Sequence, residues 1–175
     1  MTSAVTDAAR TAHAAAATLI QKSLVKPGDK LPTTETVKED SPTDVFALGL
    51  TGKNLIVGVP GAFVPLCTGM IVWYDRLREK GIDEVFVVCV NDAFVVSAWR
   101  DSLAPDGTPV RFIADDQGAF VSSLGLLEDT TAVLGTPRAR RFALVVKDGV
   151  VENVILEENS NQVVNTHASK VITLL

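Results

Sequence analysis

Basic charge, histidine and cysteine are all scarce in this chain of 175 residues, and each scarcity removes a class of function. The 16 lysines and arginines face 21 acids, leaving a net charge of -5. That balance argues against nucleic acid or an anionic membrane as the main partner, since both call for a basic surface. Of 2 histidines, His13 and His167, neither has a cysteine or an acid at metal-ligand spacing, so both are read as solvated or capping groups and no metal is expected. A glycine-rich phosphate loop is missing, as is a Cys-x-x-Cys pair. No apolar run approaches the ~20 residues of a membrane span, so no membrane is expected. With 2 cysteines and no secretory pattern, a reducing compartment is expected. The final Thr173-Leu174-Leu175 is not the peroxisomal Ser-Lys-Leu address, and the expected location is cytoplasmic.

What is present has the composition of one globular domain, 47% hydrophobic and 21% charged. Residues 1–25 are expected to form an N-terminal helical extension or tail, because Ala14 to Ala17 with Leu19, Ile20 and Leu24 favour a helix whereas chain ends fray. Pro27-Gly28-Asp29 is a turn and Pro32 keeps the next stretch extended, so the compact domain is assigned to residues 26–175. From Lys53 onward strand and helix alternate. Strands are expected at Asn54 to Val59, Glu84 to Val90 and Val110 to Ala114, and helices at Leu66 to Lys80, Asp92 to Leu103 and Gly118 to Leu127. Asp148-Gly149 signals a hairpin between Arg141 to Lys147 and Val150 to Leu156, and a helix over residues 166–175 closes the chain. This order describes an α/β protein with a central mixed β-sheet flanked by helices, compatible with a thioredoxin-like fold.

The first of those strands runs into Pro60-Gly61-Ala62-Phe63-Val64-Pro65-Leu66-Cys67, which sets Cys67 where a helix should begin. Unpaired N–H groups of a first helical turn, together with the helix dipole, favour thiolate over thiol. A cysteine is equally a small apolar core residue, so position alone leaves both roles open. The loop, with Pro60-Gly61-Ala62-Phe63 followed by Pro65 and Cys67, resembles the active-site loop of the type II peroxiredoxins. Three later blocks resemble the same family in the same order: Val90-Asn91-Asp92-Ala93-Phe94-Val95 with Ala98-Trp99, Phe112-Ile113-Ala114-Asp115 with Gly118-Ala119-Phe120, and Arg141 to Val146 with Asp148-Gly149. The resemblance spans roughly residues 26–175. It implies a thioredoxin-like fold, a homodimer, and thiol-dependent reduction of hydrogen peroxide or alkyl hydroperoxides through a cysteine sulfenic acid. It also implies no cofactor beyond an external thiol reductant: thioredoxin, glutaredoxin or glutathione.

Carried over residue by residue, Cys67 is the expected nucleophile and Arg141 its electrostatic partner, with Pro60 shielding the sulfur from bulk water. Arg138 and Arg140 are assigned to solvent. Val64 stands where the family carries threonine, so the pocket keeps its shape and lacks a hydroxyl that would orient the peroxide. The segment between Cys67 and Gly81 is also about five residues shorter than the family pattern. Cys89 is read as a buried structural thiol, with a role as resolving thiol the other candidate, and no cysteine follows it. Glu157-Glu158 is read as a solvated loop, and Trp73 and Trp99 as core or interface packing. The two departures define an alternative function: a catalytically impaired peroxiredoxin-like protein acting as redox sensor, chaperone or interaction protein.

Overall fold

The computed structural model describes residues 23–64 and 69–175. The expected N-terminal helix falls almost wholly outside the described residues, as does Cys67. Among the described residues, seven strands form one sheet in the order β2-β1-β5-β4-β3-β8-β9. Its centre is β3 (Lys53–Val59), parallel to β4 (Glu84–Cys89), which is in turn parallel to β5 (Arg111–Ala114). On the other side of β3 lie β8 (Phe142–Lys147) and β9 (Val150–Leu156), both antiparallel to their neighbours. A short antiparallel pair, β1 (Thr36–Lys38) and β2 (Val45–Ala47), completes the far edge, and β6 (Leu127–Glu128) pairs with β7 (Arg138–Ala139) in a separate ribbon.

Period-two alternation explains why the central strands read as continuous apolar runs. Leu55, Val57 and Val59 share one face with Val85, Val87 and Cys89, while Ile56 shares the other with Phe86 and Val88. The first face is covered by α1 (Gly69–Val72), α2 (Tyr74–Glu79), α3 (Ala93–Leu103) and α6 (Ala168–Ile172), through Met70, Leu77, Trp99 and Val171 among others. The second is covered by α4 (Ala119–Ser123) and the segments around Val25, Leu31 and Val37. Trp99 is core, meeting Phe112 edge to face at 5.1 Å between ring centroids. No helix among the described residues is long and apolar enough to cross a membrane.

Several helices are shorter than the sequence pattern predicts. The helix expected from Leu66 to Lys80 is, over its described part, two short helices separated at Trp73 (φ −101°, ψ 5°). β-Branched Ile71 and Val72 precede that break, and Val72 is exposed, so neither propensity nor packing holds the turn in register. Trp73 instead caps α2, its carbonyl accepting from Leu77 N–H at 3.0 Å while its ring stacks under the Arg76 guanidinium. The helix expected from Gly118 to Leu127 ends at Ser123, because Gly125 adopts φ +69°. Gly125 N–H reaches the Ser122 carbonyl and Leu126 N–H reaches that of Val121, the pattern of a Schellman closure. The last helix is held to Ala168–Ile172 by its cap His167, whose Nδ1 accepts from Ser169 N–H at 3.3 Å. Asp92 caps α3 as its position predicts, accepting from Val95 N–H at 3.0 Å.

Candidate active site

Strand β3 delivers the Pro60 loop to one end of the sheet. Pro60 and Gly61 are buried, Val64 is half-buried, and Phe63 stands out into solvent with its backbone at φ +60°. Among the described residues, two hydrogen bonds shape the loop: Val64 N–H to the Gly61 carbonyl at 3.4 Å, and Ala62 N–H to Asn91 Oδ1 at 2.9 Å. Asn91 leaves the neighbouring strand just beyond β4.

Arg141 arrives at the same end by strand direction. Because β8 runs antiparallel to β3 with Phe142 opposite Gly58, the residue before Phe142 lies beside Val59, where the Pro60 loop begins. Gly58 is required at that pairing, since a Cβ there would fall inside the Phe142 ring. The Arg141 side chain is buried, with only 3% of the residue exposed, and its Nε donates to the Ser160 carbonyl at 2.6 Å. Ser160 Oγ in turn donates to the Glu128 carboxylate. Pro60, Val64, Glu128, Val133, Arg141 and Ser160 are among the residues lining one cavity of about 390 Å³. Its outer wall is α5 (Thr131–Leu134), and its surface is mostly apolar around a few convergent polar groups, the usual make-up of a small-molecule site.

The structure thus gathers Pro60, Val64 and Arg141 in one cavity, while Cys67 lies outside the described residues. Cys89 is fully buried at the end of β4, in register with Val59 and Ala114 and packed in the same cluster as Met70 and Trp99. Three assignments to solvent are corrected. Arg138 and Arg140 are half-buried: Arg138 Nη1 donates to the Val90 carbonyl, and Arg140 Nη2 to that of Glu157 at 3.3 Å. Guanidinium forks satisfy backbone carbonyls that a loop would otherwise leave dry. Glu157 is likewise buried rather than solvated. Its Oε1 accepts from Val164 N–H at 2.8 Å, Thr166 N–H at 2.7 Å and Thr166 Oγ1 at 2.8 Å, closing the loop that carries Ser160. Burial works to push that carboxyl up, but the hydrogen bonds outweigh it and hold the group below its ordinary range.

Asp115 and Asn91 carry roles that were not assigned from sequence. Asp115 is buried and accepts from Phe120 N–H at 3.2 Å and Val121 N–H at 2.8 Å, fastening the start of α4. Desolvation pushes its carboxyl up to about 6 against those bonds. An acid just ahead of a Gly-Ala-Phe helix start was the available signal. For Asn91 there was none, because its partner is a backbone amide in a distant loop. Among the described residues no group of three His, Cys, Asp or Glu gathers as metal ligands would.

Comparison with known proteins agrees with this architecture. Residues 26–172 match the Redoxin family model. The chain is 36% identical over 157 residues to peroxisomal membrane associated protein 20 of Schizosaccharomyces pombe, covering 87% of this chain and 100% of that protein. It is 38% identical over 145 residues to the chloroplastic peroxiredoxin-2E of Arabidopsis thaliana, covering 75% of this chain and 61% of that one. Among solved structures, reduced Prx3 from Vibrio vulnificus in complex with hydrogen peroxide superposes with a TM-score of 0.78 at 29% identity, over 86% of this chain and 98% of that chain. A thioredoxin-like mixed sheet, a loop and a buried arginine meeting at one sheet end, and these relatives together mean that the chain belongs to the redoxin family and, within it, to the type II peroxiredoxins, thiol-dependent peroxidases.

Proposed function

We propose that Cys67 is the peroxidatic nucleophile and that it reduces hydrogen peroxide or alkyl hydroperoxides in the cavity lined by Pro60, Val64 and Arg141. The thiolate attacks one peroxide oxygen, the O–O bond breaks, and water or an alcohol leaves with the proton, so that the sulfur is oxidised to a sulfenic acid as the peroxide is reduced. The observation that carries this reading is the convergence of a buried arginine and the Pro60 loop, about 80 residues apart in the sequence, on one cavity. Arg141 supplies positive charge where the thiolate and the departing oxygen need it, in a site from which Pro60 excludes water. Val64 provides the shape of the family threonine without its hydroxyl.

A sulfenic acid is regenerated by a second thiol. Burial of Cys89 in the core favours an external one, from thioredoxin, glutaredoxin or glutathione, with no other cofactor. Such a cycle suits a reducing compartment, and a cytoplasmic location is part of this proposal. So is a homodimer: Phe63, Val72 and Phe94 are 59%, 80% and 69% exposed and offer apolar area to a second copy. Rapid mixing of reduced protein with hydrogen peroxide and with an organic hydroperoxide, followed by thiol trapping, tests the reading. Oxidation of Cys67 much faster than that of a free thiolate, abolished in Cys67→Ser and preserved in Cys89→Ser, is the expected result. Reaction at the rate of an ordinary thiol would instead support the impaired, sensor-like alternative.

A further inference from the structure

We propose that Asn91 is a positioning residue for the peroxide reaction: backed by Arg138, its side-chain oxygen fixes the Pro60–Val64 loop that leads to the nucleophile. The inference rests on the thiol-peroxidase reading and adds to it a residue outside the cavity lining. Three observations converge on the contact. Ala62 N–H donates to Asn91 Oδ1 at 2.9 Å, joining two segments that share no strand. A Cβ on Gly61 would stand 3.1 Å from Asn91 Oδ1, 3.4 Å from Val64 Cγ2 and 3.6 Å from Arg138 Nη1, so the loop passes closely against this pair. Arg138 Nη1 donates to the carbonyl of Val90, the residue from which Asn91 continues, while Arg138 Nε is buried without a hydrogen-bond partner. A fold tolerates an unsatisfied buried donor when the rest of the group is needed where it is.

The loop needs such a brace. Phe63 holds φ +60°, a conformation that non-glycine residues keep only when their surroundings over-determine it. An asparagine suits the place better than an aspartate. Its amide oxygen accepts the Ala62 N–H without setting a negative charge beside a loop whose cysteine must ionise.

Full-length Asn91→Ala and Asn91→Asp separate positioning from folding. For each, the rate of oxidation by hydrogen peroxide, the pH profile of alkylation by iodoacetamide and hydrogen exchange at the Ala62 amide are measured. Asn91→Ala is expected to slow oxidation by about 10- to 100-fold and to speed Ala62 exchange, while still unfolding cooperatively. Asn91→Asp keeps the acceptor and is expected to keep Ala62 protected and, at a pH where the thiol is ionised, to oxidise faster than Asn91→Ala, a rescue that a role in stability alone would not produce; its added charge should move the alkylation midpoint to higher pH. Gly61→Ala probes the contact from the loop side, and combining it with Asn91→Ala should slow oxidation no further than Asn91→Ala alone. Wild-type oxidation by Asn91→Ala, or a loss of rate with Ala62 exchange unchanged, overturns the proposal. If the wild-type protein reacts no faster than a free thiol, the peroxidase reading fails, and Ala62 exchange in Asn91→Ala still decides whether Asn91 holds the loop.

Discussion

Replacing Glu157 by alanine should cost about 3 kcal/mol of stability and reach the cavity without touching it. A single oxygen, Oε1, accepts from Val164 N–H, Thr166 N–H and Thr166 Oγ1, all at 2.7 to 2.8 Å. Thr166 is itself buried, so two of those donors have no water to turn to when the carboxylate is removed. Each such loss runs at roughly 1–3 kcal/mol, and three bonds sharing one acceptor add up to less than their sum. Glu157→Gln keeps an acceptor oxygen and forfeits only the charge, for about 1 kcal/mol. The sign of the pH effect follows from a folded-state pKa below the ordinary value. The stabilisation is present above the unfolded carboxylate range, near ~4.3, and is lost as pH falls through the depressed folded value. Urea unfolding followed by the fluorescence of buried Trp99 at neutral pH and at about pH 3 measures both, and the gap between wild type and Glu157→Gln should narrow in acid. The loop from Glu157 to Thr166 also carries the Ser160 carbonyl that receives Arg141 Nε at 2.6 Å, so Glu157→Ala should slow peroxide oxidation about tenfold. A variant within about 0.5 kcal/mol of wild type, oxidised at the wild-type rate, would refute this reasoning.

Val64→Thr restores the family hydroxyl in a matching volume and should raise the oxidation rate by about 10-fold or more; a rate equal to or below wild type would mean that another group already orients the peroxide. Gly58→Ala drives a methyl into the Phe142 ring at the β3–β8 pairing and should destabilise by roughly 1–3 kcal/mol, with no shift in thermal midpoint arguing that the ring moves freely. Asp115, with its carboxyl raised to about 6, contributes stability that is fully present below the unfolded value near ~3.9 and is lost as pH rises through 6. Asp115→Asn should therefore remove a downward slope in stability between about pH 4 and 7, and an unchanged slope would show that the backbone N–H groups hold the carboxylate ionised throughout.

The framework was readable from periodicity because the central strands are buried on both faces, and Asp92 and Asp148-Gly149 mark their structures by local chemistry alone. Helix lengths were not. The stop at Gly125 depends on carbonyls of Val121 and Ser122 that a pattern of apolar spacing does not register, and the break at Trp73 follows from an exposed Val72 that only tertiary structure reveals. At the candidate site, Pro60, Val64 and Arg141 were found through resemblance to a family rather than through spacing. Their shared cavity is a product of strand order, which no local pattern contains. Arg138, Arg140 and Glu157 were misjudged for one reason: in sequence they are charged residues clustered with others of their sign, and in the fold each serves backbone atoms far along the chain or across a loop.

The antiparallel pairing of β8 with β3 also sets the earliest time at which the cavity can form. Ribosomes add roughly 5–20 residues per second, so Cys67 is made several seconds before Arg141 exists. Throughout that interval the Pro60 loop has no cavity beside it, because the walls that carry Arg141 and Ser160 have not been synthesised. Docking of Phe142 opposite Gly58 brings Arg141 to the Pro60 loop, and the cavity is complete only when the later segment that carries Ser160 is in place.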